Sequence, residues 1–472
     1  MLSYLPYLLF LAAMPDPAEQ AALNRISAAS MRANLSFLAS DAMEGRDTPS
    51  QALDIAAEFI ASRFRLAGLE PVTGDSYFQK AAYALVTSDP SDFSLILSSG
   101  AESVHVTRDF DLQTLSAIEL TSVPLVKLDS DTPGDLSGKA ALIEAPNREN
   151  FARFQNILKA AQLAHPAVIL MLSSPKGVRA VSTRLVSASA KKVEASPVIS
   201  IRDPAIETFL AANPVVTVSV HSRAAAQRPV EVHNVAGVLR GSDPLLRDTV
   251  VLVTAHYDHI GILPPGDGDR INNGANDDGS GTVSVIEIAD ALARMPRHPK
   301  RSILFMTFFG EEKGLFGSRF YAAHPLFPLK QTVAQINLEQ LGRTDDDEGS
   351  RVGSATLTGF DFSDLPAKFA AAGKLTGIRV YNNEKIGDAF FARSDNQSLA
   401  DAGIPAHTLA VAFEFPDYHR PGDEWQKIDY DNMAKVDRMI ALGLLSIANS
   451  IEMPQWNANN PKTEAYRKAA AQ

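Results

Sequence analysis

The stretch VLVTAHYDHIG, residues 251–261, decides the fold. From Val250 to Ala255 the chain is apolar apart from Thr254, without the alternation of a half-exposed strand. That texture belongs to a strand covered on both faces. The run ends on His256, and Asp258 follows two residues on, so in extended chain both side chains point to one side. Beyond it the pattern alternates. Thr282 to Met295 reads as an amphipathic helix, Ile303 to Phe309 as a strand, Leu315 to Ala323 as a helix and Val333 to Leu338 as a strand. Alternation of this kind predicts an α/β fold, with a mixed, largely parallel central sheet flanked by helices. Such sheets bind ligands beyond the carboxyl ends of their strands.

Residues with chemistry recur at those ends. NNGANDDGSG, 272–281, stands directly before a helix, where Asp277 or Asp278 could bind a metal or simply cap the helix. FFGEEKGLFGS, 308–318, places two adjacent carboxylates after an apolar strand. Side chains so placed diverge, which allows one to bind metal while the other stays free as a base. INLEQLGR, 336–343, puts Glu339 at the end of another strand, and DYHRPGDEW, 417–425, carries Tyr418 and His419 in a loop. Taken singly, each motif has an ordinary structural explanation. Together, two His and three carboxylates suit two divalent ions, most simply zinc. Asp277, Glu312 and Glu339 supply three negative charges and a bridging hydroxide a fourth, so two such ions would leave the site near neutral.

Composition narrows the field. The 472 residues predict about two or three domains at roughly 150 residues each. Lys and Arg number 44 against 55 Asp and Glu, a net charge of -11 that argues against nucleic acid as a partner. There are no cysteines, so thiolate metal sites, disulfides and a cysteine nucleophile are excluded. No G-x-S-x-G elbow is present, which removes the usual serine hydrolase signature.

The block from about Asn234 to Tyr430 resembles the di-zinc exopeptidases that include bacterial leucyl aminopeptidase, aminopeptidase Y and glutamate carboxypeptidase, in the order, spacing and wording of all five motifs. The resemblance implies two zinc ions per chain, held by His256, Asp277, Glu312, Glu339 and His419, with Asp277 bridging. It implies Glu311 as general base, Asp258 as the residue orienting a ligand His, and Tyr418 as a partner of the tetrahedral intermediate. It further implies a cis peptide bond at Asp277–Asp278. Two departures stand out: Glu339 where many relatives have Asp, and Asn396 where relatives often have His. The implied activity is removal of N-terminal residues from a peptide substrate. A carboxypeptidase or dipeptidase is the alternative, and would need a cation such as Arg343, Arg351 or Arg393 for the substrate carboxylate. A one-metal glutaminyl cyclase and a non-catalytic binding ectodomain are less favoured, because all five ligand positions and Glu311 are retained.

The rest of the chain divides by texture. Residues 1–20 are an atypical signal peptide or an apolar first helix; the apolar stretch Leu2–Met14 favours export, periplasmic or secreted, although the first basic residue is Arg25. No other run approaches the ~20 apolar residues of a membrane span. Residues 21–85 read as a helical part of the catalytic domain, with a second helix ended by Gly68, and include MEGRDTPS at Met43–Ser50. Residues 86–228 show short apolar runs broken by Ser, Asp, Gly and Pro, with one or two helices such as Phe151 to Ala164, and predict a smaller β-rich inserted domain. Through DLSGKAALIEAP this part resembles a protease-associated domain. The catalytic domain takes up residues 229–453, and 454–472 reads as a polar tail without order of its own.

Overall fold

The computed structural model describes residues 15–88, 90–106, 110–113, 115–144, 151–172, 183–187 and 195–471. The apolar stretch Leu2–Met14 lies outside them. The chain forms two compact units, one comprising residues up to Ala81 and from Val232 onward, the other Ala82–Glu231.

The first unit is built on a sheet of strands that run as unbroken apolar segments because both faces are covered. Its strands are β1 (Ala226–Leu239, of which Val232 onward belongs here), β2 (Val250–His256), β3 (Ser302–Phe308), β4 (Thr332–Leu338), β5 (Ser354–Leu357), β6 (Arg379–Tyr381) and β7 (Ala406–Ala410). Their spatial order is β6-β5-β7-β4-β2-β3-β1. The four central strands, β7, β4, β2 and β3, are mutually parallel. Among these seven strands β1 joins β3 and β5 joins β7 antiparallel, so the sheet is mixed and largely parallel. Every residue of β2, β3, β4 and β7 is buried.

Helices cover both faces. The long ones are α1 (Ala28–Leu38), α2 (Gln51–Ala67), α3 (Gly281–Ala293), α4 (Leu365–Thr376) and α5 (Tyr430–Ala448). The ends of α2 follow the sequence signals. The Ser50 hydroxyl accepts the Leu53 N–H at 3.1 Å, and Gly68 closes the helix in the left-handed conformation, φ 83°. Parallel β2, β3, β4 and β7 all end on the same edge, and each motif of the candidate site begins at one of those ends or in a loop beside them.

The stretch from Pro454, read from sequence as an unordered tail, is folded. Glu464–Ala470 is helical, Trp456 is buried in a cluster with Phe391 and Ile404, and its ring N–H donates to the Gly403 carbonyl at 2.9 Å. Tyr466 stacks on Trp456 at 5.0 Å between ring centroids. Two aromatic anchors are too sparse to form a periodic pattern, yet they bury enough area to dock a polar segment.

The second unit centres on an eight-stranded sheet. In spatial order its strands are 102–106, 94–99, 217–222, 118–127, 140–144, 168–172, 198–201 and 110–113. The run from 118–127 to 198–201 is parallel, and Leu95, Leu97, Leu142, Leu170, Ile199 and Val218 fill one core. Helices Phe151–Leu163 and Pro204–Ala212 accompany it, so this smaller unit is β-rich as its texture predicts.

Candidate metal centre

His256 is the last residue of β2 and is 1% exposed. Its Nδ1 lies 3.1 Å from the Asp258 carbonyl and 3.5 Å from Asp258 Oδ1, which turns Nε2 into the site. Nε2 then stands 3.3 Å from Asp277 Oδ1 and 3.8 Å from Glu339 Oε1. Asp258 also fixes the neighbouring strand end, because its Oδ1 accepts the Glu311 N–H at 3.1 Å.

The two aspartates after Gly274 divide the two roles that the sequence left open. Asp278 is structural: its carboxylate accepts the N–H groups of His256, Gly281 and Gln340 at 3.3, 3.0 and 3.2 Å, joining β2, the start of α3 and the end of β4. Asp277 faces the cavity, and the peptide bond between them is cis, as the resemblance implies. Asp423 holds this turn from outside by accepting the N–H groups of Asn276 and Asp277 at 2.9 and 3.0 Å. Burial pushes the Asp423 carboxyl up to about 6.

After β3, Gly310 turns with φ 65° and the paired glutamates separate as expected. Glu312 Oε1 meets His419 Nε2 at 3.3 Å. Glu311 lines the cavity; burial, then the neighbouring carboxylates of Glu339 and Glu312, hold its carboxyl well above the usual range against the pull of His256. Glu339 follows β4, its Oε1 takes a hydrogen bond from Ser394, and burial raises it to about 7. His419 Nε2 reaches Asp277 Oδ2 at 3.1 Å, and Tyr418 stacks on His419 at 4.0 Å. Burial also raises the Tyr418 hydroxyl above its ordinary value, so it remains a proton donor.

All eight residues singled out from the sequence therefore meet in one place. Seven line a cavity of about 350 Å³, and Asp258 stands behind His256. Phe390, Phe413, Leu315 and Thr358 also line the cavity, as do the exposed Arg319 and Arg393.

The donor set fits divalent metal. Tetrahedral zinc with bonds of about 2.0–2.1 Å keeps its ligands roughly 3.3–3.4 Å apart. The imidazole–carboxylate distances of 3.1, 3.3 and 3.3 Å match that spacing, and 3.8 Å at Glu339 is close to it. Asp277 Oδ2 and Glu312 Oε1 are buried and make no hydrogen bond among the described residues, although imidazole nitrogens lie within 3.3 Å. Close approach without hydrogen-bond geometry is what ligands of a shared ion show.

Four contributors escaped the sequence reading. His259, 0% exposed, places Nδ1 2.9 Å from Glu312 Oε1 and 3.9 Å from Asp277 Oδ2. Its signal was present as the second His of AHYDHIG. Asp423 sits in the DYHRPGDEW motif but carried no cue for backbone support. Ser394 acts from a loop distant in sequence. Arg46, in MEGRDTPS, is 1% exposed and donates to the carbonyls of Tyr257, Leu38, Asn273 and Gly274 at 2.6–2.9 Å, tying the two metal-site loops together. Asn396 proves structural: it donates to the Phe391 carbonyl at 2.9 Å and accepts from Thr408 at 2.8 Å. Of the arginines considered for a substrate carboxylate, Arg343 is held by Asp345 and Asp417, and Arg351 by Asp346 and Glu348.

Residues 234–443 match the family model described as Peptidase family M28. The protein named "Probable zinc metalloprotease" of Leptosphaeria maculans is 27% identical over 263 residues, 48% of this chain and 60% of its own length. Aminopeptidase YwaD of Bacillus subtilis is 24% identical over 238 residues, 49% of this chain and 48% of its own. The chain thus spans about half to three-fifths of the length of these curated relatives. Among solved structures, the aminopeptidase of Aneurinibacillus sp. strain AM-1 superposes with a TM-score of 0.63 at 21% identity, covering 93% of this chain and 100% of that one, which establishes a common fold. The part of the chain that matches Peptidase family M28, residues 234–443, contains every residue that lines the cavity.

Proposed function

We propose that this chain is a two-zinc exopeptidase, most simply an aminopeptidase, which removes N-terminal residues from peptides. The observation that carries the proposal is Asp277, whose two carboxylate oxygens face two different imidazoles, His256 and His419. One ion would be held by His256, Asp277 and Glu339, the other by His419, Asp277 and Glu312. Two such ions lower the pKa of water and polarise a carbonyl. The chain's own residues supply the remainder. Glu311 takes the proton of the attacking water and returns it to the leaving amine, a role served by its raised pKa. Tyr418 donates its O–H to the oxyanion of the tetrahedral intermediate. Asp258 holds the His256 ring through Nδ1.

A second reading, carboxypeptidase or dipeptidase action, is favoured by one observation: Arg393 lines the cavity, stacked on Phe390 at 4.3 Å, where a substrate carboxylate could meet it. The same proposal takes the unit Ala82–Glu231 as a protease-associated-like insertion, supported by DLSGKAALIEAP, and the protein as exported to the periplasm or medium, supported by the apolar stretch Leu2–Met14.

The test is a panel of dipeptide amides with free amines beside N-acetyl dipeptides with free carboxylates, each with and without a chelator. The proposal expects chelator-sensitive hydrolysis of the free-amine set. Turnover confined to the acetylated set would reverse the polarity, and turnover untouched by exhaustive chelation would remove the metal.

A further inference from the structure

Resting on the two-metal reading above, we infer that His259 is a further metal-ligating residue, a third imidazole on the His419 side of the centre. Three observations converge on it. First, the ring is 0% exposed, and neither nitrogen has a hydrogen-bond partner among the described residues. Buried polar groups in folded proteins are nearly always paired. His407 in the same unit shows the ordinary arrangement: also 0% exposed, it bonds the Thr358 carbonyl through Nδ1 at 2.7 Å and the Ser363 hydroxyl through Nε2 at 2.6 Å.

Second, the unpaired Nδ1 points at the ligands of one ion. It lies 2.9 Å from Glu312 Oε1 and 3.9 Å from Asp277 Oδ2, the three residues offer ligand atoms within 4.8 Å of one another, and His419 Nε2 meets the same two carboxylates at 3.3 and 3.1 Å. The 2.9 Å approach to Glu312 lacks hydrogen-bond geometry. Third, the backbone makes room for the ring. Gly274 turns with φ 57°, and a Cβ there would stand 2.5 Å from His259 Cγ. The His259 N–H is tied to the Arg46 carbonyl at 3.3 Å. A neutral imidazole adds a donor without adding charge, so the neutrality of a two-ion centre is unchanged.

The inference is tested by NMR of the full chain with ¹⁵N-labelled histidine rings, as apoprotein and after zinc loading. A zinc-bound ring nitrogen has a characteristic shift that no longer titrates. Of the 10 histidines, three are expected to acquire it, His256, His259 and His419. In His259→Gln the third such signal disappears, and the affinity for one of the two zinc equivalents falls about 10–100-fold while the other is kept. Zinc binding with only two shifted histidines in the wild-type protein would overturn the inference and leave the two-metal reading standing. That spectrum decides the question even if the variant does not fold. Failure of the wild-type protein to bind zinc would overturn both.

Discussion

His256 Nε2 stands 3.3 Å from Asp277 Oδ1, on the opposite carboxylate oxygen from the one that His419 meets. This one aspartate therefore faces two different imidazoles. Its backbone is held by Asp423 and its neighbour Asp278 is occupied with three N–H groups, so the Asp277 carboxylate is left for the cavity.

The adjacent glutamates give the sharpest separation of roles. Glu311→Gln keeps the shape of the side chain and removes the proton acceptor. It should retain metal and fold while kcat falls by about 10²–10⁴-fold with KM little changed. Glu312→Gln should lose metal affinity instead, with activity partly restored by excess zinc. Metal analysis beside steady-state kinetics distinguishes the two, and a Glu311→Gln enzyme that keeps most of its kcat with metal bound would refute the assignment.

Arg46 is expected to hold the site without touching substrate. It is buried and its guanidinium donates to four carbonyls, an arrangement that a lysine ammonium cannot copy. Replacing it by Lys or Met should cost about 3–5 kcal/mol, the range for breaking a buried charged network. Chemical denaturation measures this directly, and a loss under about 1 kcal/mol would show that the carbonyls find other partners.

Asp437 offers a prediction about pH away from the cavity. The residue is 0% exposed; burial and then Glu287 push its carboxyl well above the usual range, against the opposing effect of Ser284. The folded state thus holds this proton to higher pH than the unfolded chain, whose Asp titrates near about 3.9. The associated stability is present below that pH and is lost as pH rises. Asp437→Asn should therefore raise Tm at neutral pH by more than about 2 °C, the size of a shift of roughly 1 kcal/mol. The gain should vanish near pH 4. Thermal melts across that range check it, and a variant less stable at pH 7 than the wild type would contradict the sign.

Much of this was legible in the sequence because the chemistry sits where regular structure ends. Apolar runs such as Val250–Ala255 mark the strands, and the first polar residues after them, His256, Glu311, Glu312 and Glu339, had to lie at one edge of the parallel sheet. What escaped depends on three-dimensional neighbours. Asp423 and Ser394 act on atoms more than fifty residues away in the chain, at Asn276 and Glu339, and no local period encodes that. Arg46 was invisible because a charged residue in a turn normally reads as exposed. The folded segment after Pro454 was missed for the converse reason: Trp456 and Tyr466 anchor it without any repeating pattern.

The central claim is that Asp277 bridges two metal ions, and metal content tests it most directly. Protein stripped by chelation, reloaded with zinc and dialysed should contain two equivalents per chain by elemental analysis. Aminopeptidase activity should rise until the second equivalent is bound, and Asp277→Asn should lose both. Full activity with a single tightly bound equivalent, or with none, would contradict the account.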